Sequence, residues 1–171
     1  EQERVGHVRG QVHERLELGA LRRALTGAVH EAHHGHAVVA ADVPEEPRPG
    51  EDPVACAQRL AREKALAVSR QRPTDLVLGA DTIVVVGDVI LGKPIDEADA
   101  ARMLRMLSGR THQVTTGVCL VGPGFEDTRA ETTSVRMDKL TDEDVRFYVS
   151  TREPMDKAGA YAIQGIASRW I

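Results

Sequence analysis

The sequence predicts an α/β domain with a mixed sheet, and three observations carry that prediction. The β-branched apolar runs "LVLGADTIVVV" and "HQVTTGVCLVG" read as strands. Three segments, within residues 52–68, 96–108 and 141–149, place apolar residues at helical spacing. Gly87-Asp88 can turn the first run into a second strand, "VIL", and such hairpins make the sheet mixed rather than purely parallel.

The elements follow in order. Residues 1–36 differ from the rest: six of the seven histidines lie there, with five Arg and five Glu, and the apolar spacing is irregular. Leu16 to Leu25 can be helical, and His30 and His34 would then lie one turn apart, a chelating spacing. No further ligand has an obvious position, so a solvated segment is the expectation there. Residues 37–43, "AVVAADV", are expected to form a short strand, followed by the loop "PEEPRPGED". Asp52 is the expected cap of the next helix and Pro53 its first residue. Ala57, Leu60, Ala61, Lys64 and Val68 form its inward stripe, so Lys64 interrupts an apolar face. Either its stem snorkels or its ammonium faces a cleft.

Residues 96–108 form an amphipathic helix with Met103, Leu104 and Leu107 inward, closed by Gly109. "TTSVRM" supplies another strand, and Thr141-Asp142-Glu143-Asp144 opens a helix carrying Val145, Tyr148 and Val149. "STREPMDKAGAYAIQG" reads as a long loop leading into a strand.

Composition narrows the function classes. A 171-residue chain with 42% hydrophobic and 3% aromatic residues builds one aliphatic-cored domain, with at most a small extra lobe. A net charge of -4 disfavours general affinity for nucleic acid or an anionic membrane. Two isolated cysteines, Cys56 and Cys119, favour a reducing compartment. The N-terminus is too charged for a signal peptide, and no apolar run reaches membrane-spanning length. A cytoplasmic location is the expectation.

Only four of the 22 basic residues are lysines: Lys64, Lys93, Lys139 and Lys157. A compact ammonium serves as a point charge on a phosphate oxygen, a role arginine fills differently. Lys93 lies in "GDVILGKP", which meets the first seven positions of the phosphate-binding G-x-x-x-x-G-K loop. The eighth should be Ser or Thr for a magnesium ion, but Pro94 has neither hydroxyl nor N–H. The intervening Asp-Val-Ile-Leu also suits a hairpin arm, so the nucleotide-loop reading fails on context too.

Asp81 is the other anomaly, a carboxylate inside an apolar strand. It is costly unless paired, ligating a metal, facing a cleft or capping a strand end. Gly79 and Ala80 before it are small enough for a ligand to come close. The hairpin can bring Lys93 into the same region, and "PMDKAGAY" offers Lys157 as a third cation. Carboxylates for a divalent metal plus lysines for phosphate oxygens are what phosphoanhydride cleavage requires.

The segments "GADTIVV", "LGKP", "EADAARMLRMLSGRTHQVTTGV" and "YVSTREPMDKAGAYAIQG" resemble, in order, the signatures of the Maf family of nucleoside triphosphate pyrophosphatases. The resemblance spans about Ala40 to Ile171, with residues 37–171 as the family domain and 1–36 outside it. It implies a two-lobed α/β fold similar to inosine triphosphate pyrophosphatases, a homodimer, and a divalent metal, Mg2+ or Mn2+. The implied reaction splits a nucleoside triphosphate between its α and β phosphates. The resemblance makes Asp81 the acceptor of the water proton, with Lys64 and Lys93 as phosphate cations and Lys157 in the "DKAG" signature. Glu45 joins Asp81 at the metal, and Thr82 and Gln164 fall on base-specificity positions of the dTTP- and UTP-preferring branch.

Two departures accompany it. The family's Ser-x-Ser-Pro-Arg-Arg phosphate loop is not reproduced, since "LGALRRAL" around Arg22 and Arg23 lacks the serines and proline. A frameshifted start would account for this, and the other reading frames of the gene test it. The chain is also expected to be truncated, ending at "ASRWI" before the family's Gly-Leu-Pro segment. The missing loop keeps a second expectation open: a catalytically impaired nucleotide-binding regulator on the same fold, linked to cell-division arrest.

Overall fold

The computed structural model describes residues 37–171. The expectations placed on residues 1–36, including the helix from Leu16, the His30–His34 pair and Arg22-Arg23, lie outside the described residues. From Val39 onward the chain forms one compact unit.

Helix α1, Pro53–Ser69, begins where the sequence places it. The Asp52 carboxylate accepts from the backbone N–H groups of Val54 and Ala55, and Pro53 occupies the first turn. Strand β1, Val77–Val86, turns at Gly87 (φ 59°) into β2, Val89–Leu91. Helix α2, Glu97–Leu107, is capped by Asp96 and followed by Gly109 at φ 69°. Strands β3, Thr111–Gly122, and β4, Phe125–Arg136, form a long hairpin, and helix α3, Asp142–Ser150, opens on a reciprocal Thr141–Asp144 capping box.

The sheet order is β2-β1-β3-β4, and every neighbouring pair is antiparallel. The α/β class holds, but the mixed sheet does not form among the described residues. Two hairpins supply two of the three pairings, and β3 returns through α2 to lie antiparallel to β1. Two other expectations are corrected. Residues 37–43 find no ladder partner among the described residues, and Val38 is almost fully exposed. The loop "STREPMDKAGAYAIQG" contains a 3-10 turn at Ala158–Ala160 and leads into a second at Ile166–Trp170 instead of a strand. The Gly165 N–H closes on the Ala162 carbonyl at 3.0 Å, which turns the chain just before Ile166.

Alternation along β1 gives it two differently covered faces. On one, α1 packs Cys56, Ala57, Leu60, Ala61, Ala65 and Val68 against Val77, Ile83, Cys119 and Val121. On the other, Val84 and Val86 join α2, α3, Met137, Tyr161 and Trp170 in a second core. That core stops short of the first half of the strand, so Leu78, Ala80 and Thr82 stay exposed. The two cores lie on opposite faces of one sheet, with β1 running between them.

The second core contains a titratable group, His112. Its ring is buried, one nitrogen lies 2.6 Å from the Tyr161 hydroxyl, and Nδ1 has no partner among the described residues. Burial holds its pKa below the usual histidine value and pushes Tyr161 up to about 12. A histidine kept neutral when folded but free to protonate when unfolded costs stability in acid. Stability is expected to fall as pH drops below about 6.5, the ordinary histidine value, until the lower folded value is reached. Denaturant midpoints between pH 5 and 7 should show a shallower slope for His112→Gln, and equal slopes would refute this origin.

Candidate active site

Close backbone packing builds the site. Side chains Ala57, Ala61 and Ala65, four residues apart on α1, lie over Gly79 and Gly117 of adjacent strands. A Cβ on Gly79 would sit 2.3 Å from the Ala61 carbonyl oxygen, and one on Gly117 would sit 2.3 Å from that of Ala57. Gly79 therefore admits a helix, where the sequence suggested an approaching ligand. With α1 this low on the sheet, Lys64 reaches Asp81, which stands opposite Gly117 in the β1–β3 register.

Four charged side chains join there in alternating sign. Lys64 Nζ lies 2.6 Å from Asp81 Oδ1 and 2.7 Å from Glu45 Oε1. Glu45 Oε2 accepts from Lys93 Nζ at 2.8 Å. Burial works against the Lys64 charge, but the hydrogen bonds it donates to Asp81 and Glu45 outweigh it and hold its pKa above the ordinary lysine value. Lys64 and Lys93 hold the Glu45 carboxyl below its usual range. Lys64 thus faces carboxylates in a partly open site, and the snorkelling alternative falls away.

The remaining expected residues lie around this chain of charges. Lys157 pairs with Asp156 at 2.9 Å. The Gly159 N–H donates to the Gly92 carbonyl at 3.0 Å, docking "DKAG" on "LGKP". Asp156 is held below its usual value first by Lys157, with Lys93 contributing. Thr82 points to the opposite face from Asp81, where its hydroxyl lies 3.0 Å from that of Thr116. Gln164 is exposed in the turn before Ile166–Trp170. The structure brings Asp81, Lys64, Glu45 and Lys93 into one network, sets Lys157 beside it, and leaves Thr82 and Gln164 out of hydrogen-bond contact with it.

Sequence reasoning missed the strap that holds Glu45. The Arg59 guanidinium grips Glu51 through Nε and Nη2 at 2.6 and 2.7 Å, and Nη2 also reaches the Glu46 carbonyl at 3.2 Å. Arg59 holds the Glu51 carboxyl down to about 2. The loop bearing Glu45 is thereby fastened to the helix bearing Lys64. Arg59 falls one turn after Cys56 and Ala55, a spacing that carries no chemical signal by itself.

Among the described residues, no group of three His, Cys, Asp or Glu is arranged to hold a metal. Two carboxylates on either side of Lys64 still suit magnesium, which binds through one or two carboxylates together with substrate phosphates. No helix among the described residues is long and apolar enough to cross a membrane.

An α/β scaffold presenting lysines and carboxylates along the edge of a helix–sheet seam defines a class of site suited to a polyanion with a divalent cation. The chain belongs to the family of Maf-like proteins, whose model matches residues 20–171. It is 60% identical over 131 residues to the dTTP/UTP pyrophosphatase of Koribacter versatilis, covering 77% of this chain and 68% of the relative. The dTTP/UTP pyrophosphatases of Geobacter sulfurreducens and Shewanella oneidensis are 51% and 49% identical over 136 residues each. Those alignments cover 78% of this chain and 71% and 70% of the relatives.

Proposed function

We propose that this chain hydrolyses dTTP and UTP to the nucleoside monophosphate and pyrophosphate, clearing nucleotide pools in the cytoplasm as a homodimer. The observation that carries the reading is the alternating chain Asp81–Lys64–Glu45–Lys93. Such a chain can exchange partners: phosphate oxygens take the two ammonium groups, which frees the carboxylates. Asp81 then accepts a proton from water as the water oxygen bonds to the α phosphorus. The bridging α–β P–O bond breaks and its electron pair leaves with pyrophosphate. Lys64 and Lys93 stabilise charge on phosphate oxygens, a contribution that grows toward the transition state. Glu45 and Asp81 would hold a divalent metal, Mg2+ or Mn2+, which would supply further charge neutralisation on the phosphates. Lys157 is assigned to the distal phosphates, and the similarity to named dTTP/UTP pyrophosphatases supports the substrate assignment.

The experiment is product analysis with dTTP and Mg2+. Monophosphate and pyrophosphate are expected as initial products, whereas diphosphate and inorganic phosphate would refute the assignment. No products with any nucleotide, together with retained binding, would favour the impaired regulator.

Base preference rests on Gln164 and Thr82. The Gln164 amide offers a carbonyl acceptor and an N–H donor, which match the N3–H and adjacent carbonyl shared by uracil and thymine. Cytosine lacks the N3–H, so kcat/KM for dTTP and UTP is expected to exceed that for CTP. Gln164→Glu replaces the donor by an acceptor and should erode the ratio. An unchanged ratio in that variant would remove Gln164 from base recognition.

A further inference from the structure

We infer that Glu153 and Tyr148 form a clamp that sets the position of Gln164, making them positioning residues for base selection, an inference that rests on the proposed role of Gln164. The backbone on both sides of Gln164 is fastened to this one pair. The Ile166 N–H donates to both Glu153 carboxylate oxygens, at 3.0 and 3.2 Å. The Tyr148 hydroxyl donates to Glu153 Oε1 at 2.8 Å and accepts from the Ala162 N–H at 3.1 Å. The turn itself closes through the Gly165 N–H to the Ala162 carbonyl at 3.0 Å.

Three further features make the clamp rigid. Tyr148 is 1% exposed and packs edge-to-face on Trp170. The Glu153 N–H is met by the Thr151 hydroxyl, which donates in turn to the Tyr148 carbonyl at 2.6 Å. A Cβ on Gly165 would lie 2.1 Å from Glu153 Oε1, so the carboxylate fills the space that the glycine leaves. A carboxylate accepting one backbone N–H across both its oxygens, together with a phenol, is strongly directional. A neutral amide cannot reproduce it, because its NH2 group would face another donor. Glu153 also starts the turn Glu153–Asp156 that precedes Lys157, so one side chain ties the base-reading turn to the phosphate-side loop.

A double-mutant cycle tests the clamp. The ratio of kcat/KM for UTP to that for CTP is measured for wild type, Glu153→Gln, Gln164→Ala and the double variant. Dissociation constants for α,β-imido-UTP and α,β-imido-CTP supply the same ratio without turnover. Glu153→Gln is expected to lower the ratio on the order of tenfold, the scale of a lost charged hydrogen bond, and to add nothing once Gln164 is gone. Tyr148→Phe keeps the buried ring and should move the ratio in the same direction, which keeps the test decisive if Glu153→Gln fails to fold. If Gln164→Ala lowers the ratio but the clamp variants leave it unchanged, or lower it equally in the Gln164→Ala background, the clamp is overturned while the role of Gln164 stands. If Gln164→Ala leaves the ratio unchanged, the reading of Gln164 and the clamp fall together.

Discussion

Asp81→Asn is expected to reduce turnover by about 10²–10⁴-fold, the usual loss when a positioned general base is removed. The substitution keeps the shape of the side chain, and Lys64 retains Glu45 as a counter-charge at 2.7 Å. Its ammonium is therefore not stranded, and the thermal midpoint should stay close to wild type. Binding of a non-hydrolysable triphosphate should persist, because the lysines proposed to meet the phosphates are untouched. Steady-state rates and an unfolding curve on the same preparation decide the matter. Near-normal turnover would remove Asp81 from the proposed chemistry.

The second large effect comes from a single methyl group. Gly117→Ala would place its Cβ 2.3 Å from the Ala57 carbonyl oxygen, 2.5 Å from the Ala57 carbonyl carbon and 2.8 Å from the Gln58 nitrogen. All three are backbone atoms, so no rotamer change relieves the clash and α1 must lift from the sheet. Overpacking of this kind costs about 1–3 kcal/mol, and occasionally more. Because Gly117 stands opposite Asp81, the same displacement draws Lys64 away from its partner. Stability and activity should therefore fall together. Gly122→Ala is the control: its nearest neighbour is the end of the Leu76 side chain at 3.2 Å, which can move aside. Equal thermal midpoints for Gly117→Ala and Gly122→Ala would show that the seam is looser than these distances imply.

What the sequence revealed followed the range of each signal. Caps, glycine turns and apolar spacing act within a few residues, so α1, α2, α3 and the β1–β2 hairpin were legible at nearly their observed bounds. Strand direction depends on which distant segment pairs with which, and local pattern says nothing of it. That is why, among the described residues, an antiparallel sheet replaced the expected mixed one and residues 37–43 found no partner despite their composition. At the site, Asp81 and Lys64 stood out because each places a charge on an apolar face. Their pairing became visible only with the register that puts Gly117 opposite Asp81. Arg59, Glu51, Tyr148 and Glu153 gave no such signal, since ion-pairing and capping side chains look like ordinary polar surface until their partners are known. The alanines at 57, 61 and 65, read together with the glycines at 79 and 117, held the one overlooked clue to the close seam.

The four charges of the site also differ in their access to solvent. Side-chain exposure rises along the chain from Asp81 at 11%, through Lys64 at 18% and Glu45 at 39%, to Lys93 at 56%. Mobile ions screen the exposed end and barely reach the buried one. Ionic strength therefore acts as a lever on the outer pair, where a polyanion would first be captured, and leaves the inner pair, where the proposed proton transfer occurs, under nearly constant field. On the proposed mechanism, capture and chemistry would be tuned separately, one by the ionic medium and the other by the fold.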